Sequence, residues 1–86
     1  MRFTVVWKPS AEQRLAELWA EADDQATLTS AADRIDRWLA VNPETLGESR
    51  SGHARMLIER PLAVEYEVVA DDRMVVVLKV HKLPRR

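Results

Sequence analysis

Both glycines of this 86-residue chain, Gly47 and Gly52, fall inside one stretch, residues 42–54, together with Pro43, Ser49 and Ser51. Glycine and proline clusters interrupt regular structure, so this stretch reads as a loop, and it separates two halves with different hydrophobic periods. Ahead of it, after a short alternating segment at the N-terminus, the apolar residues recur at helical spacing; behind it they alternate as in strands. The class that follows is α+β: an N-terminal strand and an antiparallel helical hairpin packed on one face of a mainly antiparallel four-stranded sheet. A chain of this length forms one domain, residues 1–86.

Residues 2–7 alternate, with Phe3, Val5 and Trp7 on one face, and Pro9 ends that strand. Ser10 stands three residues before Gln13, the spacing of a capping box, which predicts a first helix from Ala11 with Leu15, Leu18, Trp19 and Ala22 on its apolar stripe. Asp23 and Asp24 can end it and cap a second helix from about Gln25, carrying Leu28, Ala31, Ala32, Ile35, Trp38 and Leu39 and stopping before Pro43. A start at Ser30 is the alternative, because Thr27, Thr29 and Ser30 weaken the first turns. Three β-rich pieces follow, residues 55–59, 62–69 and 74–81. A three-residue turn over 71–73 would pair Ala70 with Met74, set Val64, Tyr66 and Val68 beside Met74, Val76, Leu78 and Val80, and put Glu65 across from Lys79 and Ala63 across from His81 on the opposite face. Trp7, Trp19 and Trp38 all read as core residues rather than base-stacking platforms.

Composition narrows the chemistry. The chain has no cysteine, two histidines and one tyrosine, which excludes disulfides, thiolate metal sites and cysteine nucleophiles. His53 and His81 lack a third ligand at metal spacing, and the glycines match no phosphate-binding or dinucleotide fingerprint, so neither a metal nor a cofactor is expected. No apolar run is long enough for a membrane span or an export signal, and the expected compartment is the cytoplasm. So short a chain buries only about 60% of its unfolded surface, which favours an open site over a deep cavity.

What remains is charge. The formal total is −1, but residues 11–48 hold nine acids and three bases, whereas residues 49–86 hold five acids and eight bases, and no acid follows Met74. An acidic helical layer therefore faces a basic strand layer. Arg50, His53 and Arg55 lead into one strand, and Lys79, His81, Lys82, Arg85 and Arg86 close the last. Such side chains position phosphates and stabilise charge developing on them, and a histidine can exchange a proton. The same residues also read as solvated charges that keep sheet edges apart.

The order of elements resembles the RelE/ParE superfamily of toxin–antitoxin toxins, which includes plasmid-stabilisation proteins. Val6-Trp7-Lys8-Pro9-Ser10-Ala11 opens the first helix as in that family, residues 31–39 are similar to its second helix, and residues 43–50 to the Pro-Gly-Glu-Arg loop after it. Leu62-Ala63-Val64-Glu65-Tyr66-Glu67-Val68 resembles its Tyr-Arg-Val-X-Tyr-X-Val strand. The resemblance implies a toxin neutralised by a cognate antitoxin in a hetero-oligomer, with no membrane partner. It implies one of two targets: RelE-like members cut ribosome-bound mRNA without a metal, and ParE-like members inhibit DNA gyrase. In the RNase branch an Arg on the third strand and a C-terminal Tyr or His act on the RNA; here those places hold Ala63 and the neighbourhood of Leu83 and Pro84. A rearranged RNase site would use Arg50, Arg55, Lys79, His81 and Lys82, with His81 as proton donor or acceptor. Glu65 and Glu67 would repel phosphate on the same face. A gyrase inhibitor, or an inactive homologue that only binds antitoxin, needs none of these residues.

Overall fold

The computed structural model describes residues 2–45, 48–49 and 54–84, with backbone alone at 48–49. The chain runs β1 (Thr4–Trp7), α1 (Pro9–Glu21), α2 (Gln25–Val41), β2 (Glu48–Ser49), β3 (Ala54–Glu59), β4 (Leu62–Val69), a 3₁₀ turn (Ala70–Asp72) and β5 (Met74–Lys82). The sheet order is β1-β5-β4-β3-β2, antiparallel except for the parallel pair β1 and β5. Four strands form the expected sheet. The two-residue β2 extends it from within the stretch read as loop.

The first helix begins earlier than the capping box predicts. A residue before proline is pushed to extended backbone, and Lys8 adopts it (φ −56°, ψ 147°), so Pro9 occupies the first turn, where its missing N–H costs nothing. Ser10 is thus inside the helix, and Lys8 at the cap position makes no side-chain capping bond. The second helix starts at Gln25 rather than Ser30, because Asp24 accepts from the Thr27 N–H at 3.0 Å and from its hydroxyl at 2.6 Å. Those bonds hold the Asp24 carboxyl below its ordinary range.

One face of the sheet carries the core. Leu28, Ala31, Ile35 and Leu39 of α2 and Ala11 and Leu18 of α1 pack with Leu57, Leu62, Val64, Tyr66, Val75, Val77 and Val80. Tyr66 has no accessible surface, and its hydroxyl donates to the Pro43 carbonyl at 2.8 Å, tying the end of α2 to the sheet. Burial pushes this phenol above its usual value, while the neighbouring Arg55 pulls the other way. An Arg34–Glu59 ion pair joins α2 to β3.

Two tryptophans depart from the core role. Trp19 and Trp38 are 44% and 49% exposed. Trp19 lies at the margin of its stripe, where its indole N–H reaches Thr29 Oγ1 at 3.1 Å; Trp7, half-buried, donates to Asp36 at 2.8 Å. An indole N–H needs a polar partner, which favours a half-wet position.

The β4–β5 register also corrects two expectations, the inward-facing set and the turn, which spans the four residues 70–73 and pairs Val69 rather than Ala70 with Met74. Next to the turn Val69 pairs with Met74, Val68 with Val75 and Tyr66 with Val77; beyond a bulge at Leu78, Glu65 pairs with Lys79 and Ala63 with His81. Val75, Val77 and Val80 are therefore the buried set, in place of the run Met74, Val76, Leu78, Val80. The inserted residue reverses the strand's phase.

Candidate functional site

The open face of the sheet is where the register brings chemistry together. Glu65 lies across from Lys79, and His81 Nε2 stands 3.0 Å from Glu65 Oε2, with the imidazole 47% and the carboxylate 26% exposed. Glu67, two residues along β4, shares that face as the alternation requires. Beside β5 an open cleft of about 270 Å³ is lined by Ser10, Ala11 and Arg14 of α1 and by residues 78–81. Arg14 itself is bonded to Glu17 at 3.3 Å.

Of the five predicted site residues, the structure brings two together, Lys79 and His81. Arg55 pairs with Tyr66 and so lies on the helix-facing side, half-buried. Lys82 pairs with Leu62, also on that side, and lines a different cavity of about 320 Å³ with Arg60, Asp23 and Asp24. Arg50 lies outside the described residues, as do His53, Arg85 and Arg86. The split follows from the period of a strand: on β3 it is Met56, not Arg55, that pairs with Glu65. Sequence reasoning missed Ser10 and Arg14 as neighbours of the β5 cations, since no local pattern links α1 to a strand some seventy residues later.

A histidine bonded to a carboxylate can exchange protons with a substrate, and a lysine nearby can neutralise an anion. Here Lys79 and His81 share their face with two carboxylates, so from the described residues a phosphate meets little net positive charge. Among the described residues no group of three His, Cys, Asp or Glu could hold a metal, and no helix is long and apolar enough to cross a membrane.

A second feature lies on the helical layer. Leu15, Ala16 and Trp19 of α1 face Leu28, Thr29 and Ala32 of α2 across an open, mainly apolar groove of about 330 Å³, with Glu12 and Asp33 among its lining.

No family description matches the sequence, and no curated protein is similar to it. Solved structures are. A chain of the toxin–antitoxin complex RelBE2 from Mycobacterium tuberculosis superposes with a TM-score of 0.78 at 18% identity, covering 95% of this chain and 92% of that one. A chain of the chromosomal ParDE system of P. aeruginosa gives 0.67 at 16% identity, over 95% and 97%. The isolated E. coli RelE toxin gives 0.61 at 13% identity, over 98% and 87%. The chain has the RelE/ParE-like fold. Within it, Ala63 stands on the open face across from His81, where the resemblance leads one to expect an arginine.

Proposed function

We propose that this chain is the toxin of a type II toxin–antitoxin module and that it acts by binding a protein target, in the manner of a ParE-like gyrase inhibitor, rather than by cutting RNA. The toxin role is supported by the fold likeness to RelBE2, ParDE and RelE proteins. The observation that carries the mode of action is the dispersal of the cations. Arg55 and Lys82 face the helices, and His81 is engaged by Glu65, so among the described residues phosphate-neutralising charge on the open face comes down to Lys79 and a His81 already held by a carboxylate. The antitoxin partner is a segment with an apolar helical face, which fits the groove between α1 and α2 as an amphipathic helix fits an apolar cleft. Inducible expression tests this reading. DNA replication is expected to stop while translation continues, and co-expression of an antitoxin from the neighbouring reading frame is expected to restore growth. Arrest of translation with cleaved ribosome-bound mRNA would overturn the mode of action, and normal growth without an antitoxin would reduce the chain to an inactive antitoxin-binding homologue.

One observation favours a RelE-like reading: the His81–Glu65 pair beside Lys79 has the makings of an acid–base site. Cleavage of ribosome-bound mRNA that disappears with His81→Ala, and not with Arg55→Ala, would support it.

A further inference from the structure

Beside Glu65, Glu67, Lys79 and His81, the sheet face turned away from the helices carries apolar side chains at positions where a solvated face is ordinarily polar. By register it presents Val6 of β1, Val76 of β5, Val69 of β4, and Met56 and Ile58 of β3 around the carboxylates of Glu65 and Glu67. Val6, Val69 and Ile58 are 38%, 37% and 53% exposed. Antiparallel sheets with one wet side ordinarily alternate apolar inward with polar outward residues, and contiguous bare apolar surface marks a contact site.

The two carboxylates differ. Glu65 is engaged by His81 and faces Lys79. Glu67 sits half-buried between Ala54 and Val76 in register, and among the described residues no hydrogen bond or ion pair engages it. We infer that this face is the target-binding surface, and that its partner is a protein segment presenting an arginine or lysine to Glu67 from within an apolar strip. The inference rests on the protein-binding reading above and names the chemistry of the target.

The physical case is one of complementarity. A cation brought over Glu67 by apolar neighbours would be desolvated together with the carboxylate, and side chains around it would exclude water from the pair. A guanidinium can meet a carboxylate through two hydrogen bonds at once. An RNA backbone would instead bring phosphates against Glu65 and Glu67, a repulsive pairing.

Fluorescence anisotropy on the full chain tests this with three labelled probes: a short peptide of alternating Val and Thr with a central Arg, the same peptide with Glu in place of Arg, and a short oligouridine. The Arg peptide should bind about tenfold or more tightly than either alternative, a difference of about 1.4 kcal/mol. Glu67→Gln should remove most of that preference, and Ile58→Ser should weaken the Arg peptide while circular dichroism stays that of the parent. Tighter binding of oligouridine, equal binding of the two peptides, no peptide binding at all, or an unchanged preference in Glu67→Gln would each overturn the inference. Growth assays separate the two levels. A chain that arrests replication yet ignores the Arg peptide loses this inference alone; one that binds the peptide without arresting growth loses the toxin reading alone.

Discussion

Val75 and Val77 keep none of their accessible surface, whereas Val6, on the neighbouring strand and pointing the other way, keeps 38% of its own. The two faces of one sheet thus hold valines under different cover. On the helix side, valines and leucines close against α1 and α2 and supply the stability of the domain. On the open side, similar side chains contribute little to folding, so their presence there is informative about contact with something else. For these apolar residues burial, rather than residue type, separates the helix-covered face from the open one.

Substitutions that truncate one face at a time break or sharpen this contrast. The largest effect is expected for Ile35→Ala, which opens a cavity in the helix-side core and should cost about 2–5 kcal/mol in urea unfolding. If Val6→Ala on the open side cost as much, the distinction between the faces would fail.

Next comes Tyr66→Phe, which leaves the Pro43 carbonyl without its buried donor and should cost about 1–3 kcal/mol. Because burial raises the phenol's folded pKa, the wild type keeps this tyrosine's contribution below about pH 10 and loses it as pH rises through the folded value. The phenylalanine variant should lack that alkaline loss.

Asp24→Ala should fray the start of α2, seen as reduced helical circular dichroism at neutral pH. Its folded pKa is lowered by Thr27, so the contribution is present above about pH 4 and is lost as the pH falls through the folded value. The variant's stability should therefore approach that of the wild type in acid.

The smallest effect is expected on the open face. His81→Ala should change unfolding free energy by no more than about 1 kcal/mol, as usual for an exposed side-chain pair. A larger loss would make the His81–Glu65 pair a structural element and remove it from the candidate site.

The helical hairpin was legible because Leu28, Ala31, Ile35 and Leu39 keep a strict helical period and Asp24 stands at a cap position. The last strand was legible as a strand and not in its phase. Met74 to Val80 is apolar at both parities apart from Lys79, so alternation gives no sign of which set turns inward. That choice is made by neighbours distant in sequence: Val5 and Trp7 on β1, paired with Val75 and Val77. The candidate site was half legible for the same reason. Lys79 and His81 meet Glu65 and Ala63 as expected only because the bulge at Leu78 makes up the one-residue shift of a turn that pairs Val69, not Ala70, with Met74, and the face occupied by Arg55 depends on a register set by β4.

Leu78 makes the last strand one residue longer than its partner requires. Its removal would turn β5 into a regular strand in which Lys79 still meets Glu65, Val80 still meets Val64 and His81 still meets Ala63. Deletion of Val76 would instead turn Val77, which now faces the helices, to the open side, whereas deletion of Val77 would seat Leu78 in its place opposite Tyr66. The strand's length is therefore negotiable at its bulge, and a chain lacking Leu78 should fold to the same sheet with both faces intact.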